Sequence, residues 1–523
     1  MDRKRTAARK ETGPPASNGA VSRGLCRASG SGPGSGPGDE APDGGNNGSA
    51  TGTAGSRVGV GGRGGGERKP GPPKATQNPP ATTEPDYAKE RRTAELLVQR
   101  ASVVTEIVQA MLRRGEQAST SSSSSPSSNA APISQYKPPT GGGGKGDDGT
   151  VEVKQEDESP VTMADYAVQA LVAWGLRAVF PRDMLLGEED AGGLRSNKTM
   201  LADVCAVIKR ARERVDGEWD KEREAWETRG RKREAFERAD QDLPWPSTER
   251  DVLDALTPKD RSSRRSENVG IRDGWRYWIM DPVDGTSAFL KNGQYAIMLA
   301  LVQDGKAVLG VCACPNTSYK AAANRKGIRE YMVDPGKKEP GVMLAAVKGQ
   351  GATMRMLGHT SLLESTRLDW SNRPLPSLTD SNGRPDFSRL IVVDSEDSPK
   401  TLSGVVKALA GDNYKRGIQG YSSHWRYAVG AILGPEIVQI RCPKTRERDW
   451  KIWDHVGTIL IYEESGAGKV TDMNGKLLDY SHSPTLAGNW GVIAAHCSIH
   501  ENIRKAALLT SESVKPPQAA KSK

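Results

Sequence analysis

The spacing of apolar residues changes character several times along the chain. Residues 1–83 are rich in Gly, Ser, Pro and Thr and show little periodicity. Such a segment cannot bury enough apolar surface to offset its ordering entropy, so disorder is expected. From Tyr87 a helical pattern sets in. Leu97, Ala101, Val104, Val108 and Met111 recur at alternating steps of four and three, which places them on one helix face, with Gly115 as the expected stop. Ser119–Ser128, Gly141–Gly144 and the acidic stretch 146–158 mark a low-complexity insertion, bounded here as 116–157. A helix restarts near Thr162. Thr162 and Asp165 have capping-box spacing, and Val168, Leu171, Val172, Gly175 and Val179 can face inward. Residues 206–240 carry dense alternating charge, expected as a solvated helix held by i,i+4 pairs. With 241–270 read as loop, 206–270 is expected to be a charged helical insertion.

Strand patterns follow. Tyr277 to Met280 is an apolar strand running into a turn. Gln294–Val302 and Ala307–Ala313 flank Asp304-Gly305, which predicts a β-hairpin with a tight turn, and Leu344–Val347 continues the sheet. In the second half, strands are expected at Leu390–Val393, Ile437–Arg441 and within Trp490–Ala494. Helices are expected at Thr401–Leu409, Ser423–Leu433, after Trp453, and over 499–509. The tail from Ser511 is expected to be mobile. An α+β part (84–385) is thus followed by an α/β part (386–510).

Composition bounds the alternatives. In 523 residues only 35% are hydrophobic, while Gly numbers 58 and Pro 33, so the chain is too polar for one uniform globule. No run of about 18 apolar residues marks a transmembrane helix. The N-terminus has no apolar core of a secretory signal. Its Arg, Lys and Ser leave a transit peptide open, but Asp2, Glu11 and the Gly-Pro runs argue against one, and a cytoplasmic location is expected. Cys312 and Cys314 lie two apart with no second Cys/His pair at zinc spacing, so they read as reduced core thiols. The net charge of +9 is compatible with anionic ligands. Residues 57–68 form a short Arg-Gly tract containing an acid, for which a flexible linker is preferred to RNA binding. No membrane or nucleic-acid partner is expected, and a monomer is.

The candidate chemistry centres on Asp281-Pro282-Val283-Asp284-Gly285-Thr286. Pro282 stiffens the turn, so Asp281 and Asp284 can converge on one point, joined by the Val283 carbonyl. Hard oxygen ligands of this kind suit Mg²⁺. Gly285 lets the backbone approach a ligand, and a helix starting at Thr286 would offer N–H groups to phosphate. Metal beside phosphate is the layout of a metal-assisted phosphatase.

Two further segments extend this turn. One runs Ser159-Pro-Val-Thr-Met-Ala-Asp165-Tyr166, followed by Gly187-Glu188-Glu189-Asp190. The other runs Ile452-Trp453-Asp454-His455, followed by Glu464-Ser-Gly-Ala-Gly468. In this order the three resemble the lithium-sensitive, Mg²⁺-dependent phosphatases of the inositol monophosphatase superfamily. Within it the chain is most similar to the 3′(2′),5′-bisphosphate nucleotidases, over roughly residues 85 to 510. Gln294-Tyr295-Ala296 and Gly310-Val-Cys-Ala-Cys314-Pro315-Asn316 add to that similarity.

The resemblance implies a layered αβαβα sandwich. It implies that Glu188, Asp281, the Val283 carbonyl, Asp284 and Asp454 bind metal, and that Asp165 with Thr286 activates the attacking water. Four acids from distant segments would repel one another without cations, and Mg²⁺ resolves that repulsion. Gly285, Thr286, Ser423, Arg426, Arg441 and Asp454 stand where the nucleotidases contact substrate. The implied reaction removes the 3′-phosphate of adenosine 3′,5′-bisphosphate, with the sulfated form as a further substrate, in sulfate assimilation and nucleotide salvage. An inositol phosphate phosphatase of the same superfamily is the enzymatic alternative, and a non-catalytic RNA- or partner-binding protein the other. Several positions depart from the nucleotidase pattern. Ser287-Ala288-Phe289 replaces Lys-Gly-Phe, Asp397 stands where a ligand-contacting histidine is looked for, Asp454-His-Val-Gly457 replaces an Ala-Gly ending, and Glu464-Ser-Gly-Ala replaces Glu-Ala-Gly-Gly.

Overall fold

The computed structural model describes residues 87–120, 151–153, 160–229, 243–257, 276–325, 339–372, 382, 390–394, 402–411, 417–443, 450–481 and 484–513. The expectations for residues 1–83, including the Arg-Gly tract, for Asp397 and for 514–523 lie outside them. All described residues belong to one compact unit.

In chain order, α1 (Ala88–Thr120) is followed by β1 (Val151–Val153), β2 (Pro160–Thr162), α2 (Met163–Val179) and β3 (Met184–Gly187). Next come α3 (Ala191–Ser196), α4 (Lys198–Thr228), α5 (Glu249–Leu256), β4 (Arg276–Asp284) and α6 (Thr286–Leu290). Then β5 (Ala296–Gln303), β6 (Lys306–Cys314), α7 (Tyr319–Ala323), β7 (Val342–Val347), β8 (Gly351–Met356) and β9 (Ser365–Leu368) complete the first half. The second half holds β10 (Ile391–Asp394), α8 (Ser403–Ala410), β11 (Ile418–Gln419), α9 (Ser423–Leu433) and β12 (Ile437–Arg441). It closes with a 3₁₀ turn (Ile452–Asp454), α10 (Val456–Glu464), β13 (Lys469–Thr471), β14 (Val492–Ala495) and α11 (His500–Ser513).

The elements stack in five layers. A seven-stranded sheet runs β3-β4-β5-β6-β7-β8-β9, parallel only between β3 and β4. A five-stranded sheet runs β11-β10-β12-β14-β13. One face of the larger sheet (Trp278, Met280, Leu299, Leu301) packs on α1 and α2, and α4 and α5 pack against those helices in the same apolar cluster. Its other face (Ile279, Met298, Cys312, Leu344) meets α9 and α10 through Trp425, Val429, Ile459 and Leu460. Beneath those helices lie Val393, Ile437, Val470 and Val492 of the smaller sheet. The outer face of that sheet (Val392, Val438, Ile493) is covered by Val405 and Val406 of α8 and by Ile503 and Ala507 of α11. This is the expected αβαβα sandwich. The middle layer is unusually close. A Cβ on Gly310 of β6 would overlap the Gly457 carbonyl of α10, so glycine lets helix and strand touch backbone to backbone.

Local signals reappear as drawn. Asp304 (φ 51°) and Gly305 (φ 69°) form the hairpin turn between β5 and β6, both in the left-handed region a tight two-residue hairpin needs. Cys312 and Cys314 are buried free thiols with sulfurs 3.9 Å apart. Among the described residues, no helix is long and apolar enough to cross a membrane.

Five expectations are corrected. α1 continues past Gly115 to Thr120, because a single interior glycine costs only about 1 kcal/mol and Glu116-Gln117-Ala118 favour helix. The 116–157 insertion contains β1, which pairs antiparallel with β2. The charged helix is not merely solvated. α4 starts at Lys198, and Met200, Val204, Val207, Ile208, Ala211, Val215 and Trp219 form a buried stripe against the core. Inside the expected 241–270 loop stands α5, begun by a Thr248–Asp251 capping box. Ser511 likewise belongs to α11 rather than to a mobile tail.

Candidate active site

The site forms where β3 and β4 end. Their parallel register pairs Gly187 with Met280, which brings Glu188 beside Asp281. The Gly-Glu-Glu turn is held by Gln169 of α2. Its carboxamide donates to the Glu189 carbonyl (2.5 Å) and accepts from the Glu189 N–H (2.9 Å). On the other side β4 bulges. Asp281 pairs with Met298 but Asp284 with Ala296, so the Pro282-Val283 pair breaks the register and re-aims the two carboxylates. Gly285 then turns the chain at φ 90°. A Cβ there would be strained and would lie 3.0 Å from Cβ of Ser422.

Asp281 is 1% exposed and its Oδ1 has no hydrogen-bond partner among the described residues. A buried, unpartnered carboxylate oxygen is costly. Burial pushes the Asp281 carboxyl well up, and Glu188, Asp284, Asp454 and Asp165 push it further. The four other acids named from the sequence thus all act on Asp281. Asp454 is pushed up to about 7 by burial and then by Asp284 and Glu188, while Arg441 and Arg426 oppose the shift. An acid cluster with an orphaned oxygen is a good fit for a hard divalent cation. Asp281, Asp284 and His424 also present ligand atoms within 4.8 Å of one another.

Asp284 Oδ2 is already committed, accepting 2.6 Å bonds from the Ser422 hydroxyl and from the His424 N–H. Thr286 opens α6, as the turn predicted, and its hydroxyl donates to the Val283 carbonyl at 3.1 Å. A carbonyl has two lone pairs, so one remains. Asp165 is buried and caps α2, its Oδ2 accepting from the Thr162 N–H (2.9 Å) and hydroxyl (2.7 Å).

Next to the acids lies a cationic pair. Arg426 donates to the Ser423 hydroxyl at 3.1 Å and Arg441 to the same hydroxyl at 2.8 Å. Arg426 is fully buried and also holds the Gly420 carbonyl at 2.5 Å and that of Tyr421 at 3.2 Å. Burial and the neighbouring Arg441 push its guanidinium down to about 9. Arg441 lies over the Trp450 ring at 4.7 Å. Among the described residues, Nε of each arginine is buried and has no hydrogen-bond partner. Of the basic loop before Asp454, Lys451 is described, over the Trp453 ring. Lys444, Arg446 and Arg448 lie outside the described residues.

Sequence reasoning missed Gln169, Ser422, His424 and Thr458. Gln169 ends the run that begins at Ser159, the other three sit in no recognisable motif, and the role of all four appears only when α2, α9 and α10 meet the turn.

The sequence model of the inositol monophosphatase family matches residues 196–508. A 3′(2′),5′-bisphosphate nucleotidase of Emericella nidulans is 28% identical over 80% of this chain and 97% of its own. One of Schizosaccharomyces pombe is 30% identical over 68% of this chain and 86% of its own. The 3′,5′-bisphosphate nucleotidase AHL of Arabidopsis thaliana is 30% identical over 69% and 88%. Together with the layered fold and the acid cluster, these matches show that the chain belongs to the inositol monophosphatase family.

Proposed function

We propose that this protein is a Mg²⁺-dependent phosphomonoesterase that removes the 3′-phosphate of adenosine 3′,5′-bisphosphate, giving AMP and phosphate. One observation carries the reading. The Ser422 hydroxyl donates to Asp284 at 2.6 Å, and the hydroxyl of the next residue, Ser423, accepts from Arg426 at 3.1 Å and from Arg441 at 2.8 Å. A cation site directly beside two guanidinium groups suits a substrate with two phosphates, one cleaved and one held. The nucleotidase names of the relatives support the same substrate class.

Glu188, Asp281, Asp284, Asp454 and the Val283 carbonyl are the groups that would hold Mg²⁺. With an ion held there, they would supply activation of water and neutralisation of phosphoryl charge. Asp165 takes the proton of the attacking water, with the Thr286 hydroxyl orienting it. Gly285 keeps the backbone close enough for the cleaved phosphate to approach α6. Ser423, Arg426 and Arg441 bind the retained phosphate and so orient the ester against Asp165. The products identify the reaction. Phosphorus NMR of the reaction mixture should show inorganic phosphate and 5′-AMP. Release of 3′-AMP instead would reverse the assignment of the two phosphate sites.

A further inference from the structure

One fully buried side chain at the site has no part in the scheme above. His424 stands at the start of α9, between the Asp281–Asp284 turn and the Asp454 turn. Its backbone N–H donates to Asp284 Oδ2 at 2.6 Å. Its Nε2 lies 2.6 Å from the carbonyl of Trp453, the residue before Asp454, and 3.9 Å from Asp281 Oδ2. Its Nδ1 pairs with the Thr458 hydroxyl of α10.

These contacts fix the ring. A carbonyl can only accept, so Nε2 carries the hydrogen and donates it to Trp453. In the neutral ring Nδ1 then accepts from Thr458. The Nε2 lone pair needed to bind a cation is absent in this tautomer. His424 therefore cannot act as a ligand here, although its ring nitrogen lies close enough to the two carboxylates. It instead joins three pieces of the site: Asp284 through its amide, the Asp454 turn through Trp453, and α10 through Thr458.

We propose that His424 is a positioning residue, which sets the Asp454 carboxylate against those of Asp281 and Asp284 by gripping the Trp453 carbonyl. This rests on the metal-dependent reading above but not on which phosphate ester is the substrate.

The test uses the full chain and needs no turnover. Mn²⁺ binding is followed by electron paramagnetic resonance for the wild type, His424→Leu, His424→Gln and Thr458→Val, with folding checked by near-UV circular dichroism. His424→Leu should weaken Mn²⁺ binding by about tenfold or more, the range seen when a partner behind a metal ligand is removed. His424→Gln should recover most of that loss, since its carboxamide N–H can reach the same carbonyl. Thr458→Val should give a smaller loss in the same direction. The Mg²⁺ concentration for half-maximal turnover should rise in parallel. A folded His424→Leu that binds Mn²⁺ as the wild type does would overturn the proposal. If His424→Leu does not fold, Thr458→Val decides alone: unchanged Mn²⁺ affinity overturns it, weakened affinity supports it. Failure of the wild type to bind Mn²⁺ would overturn the metal reading itself, and this proposal with it.

Discussion

The Ser422 hydroxyl donates to Asp284 Oδ2 at 2.6 Å, a bond between residues 138 apart in sequence. It ties the Asp281–Asp284 turn of the larger sheet to the helix that carries Ser423 and Arg426. With the His424 N–H on the same oxygen, it positions the acidic and basic sides of the site against each other. Ser422→Ala should therefore lower turnover and raise the KM for a bisphosphate together, by several-fold each. A change confined to one parameter, measured in steady-state kinetics, would show that the two sides are set independently.

Asp281→Asn keeps the shape of the side chain but removes a charge from the cluster. Turnover should fall by about 100-fold or more, given what metal activation of water contributes. Without metal, the same variant should be more thermally stable than the wild type at pH 8, because repulsion among the remaining acids is relieved. Near-normal turnover at saturating Mg²⁺ would remove Asp281 from the metal site.

The raised carboxyls make a pH prediction for the metal-free protein. Asp454 keeps its proton up to about pH 7, and Asp281 is raised as well. The unfolded chain gives up those protons near pH ~4. Between these values the native state binds more protons than the unfolded state, so stability falls as pH rises through the interval. Melting temperature without metal should drop from pH 4 to pH 7. Mg²⁺ should restore more of it at pH 8 than at pH 5, because binding must displace the protons. A Mg²⁺ effect independent of pH would contradict the shared burial of these acids.

Arg441→Ala should mainly raise KM, since the retained phosphate is bound alike in ground and transition states. A charge-assisted bond to phosphate contributes roughly 1.5–3 kcal/mol. The KM for adenosine 3′,5′-bisphosphate should therefore rise by about 10- to 100-fold, with little change for a single-phosphate ester. Equal losses on both would place Arg441 in the fold rather than in recognition.

What the sequence made legible was local. The Thr162–Asp165 capping box, the Asp304-Gly305 turn and the bounds of α9 and β12 depend on neighbouring residues, and each forms where expected. The acids were found because they sit in short ordered motifs. The buried stripe of α4 was masked by its charged positions, and α5 was hidden by its brevity. The clamps by Gln169, Ser422 and His424 could not be read at all. Each is an ordinary polar residue whose partner lies on another layer, and no local pattern announces such a contact.

The acid cluster and the arginine pair serve one bisphosphate substrate in this proposal. Its most direct test is the initial rate of phosphate release from adenosine 3′,5′-bisphosphate, inositol monophosphate and fructose bisphosphate, with and without a fixed Mg²⁺ concentration. Mg²⁺-dependent release with kcat/KM highest for the adenosine bisphosphate is the expected result. Release that ignores Mg²⁺, or a clear preference for inositol monophosphate, would contradict it.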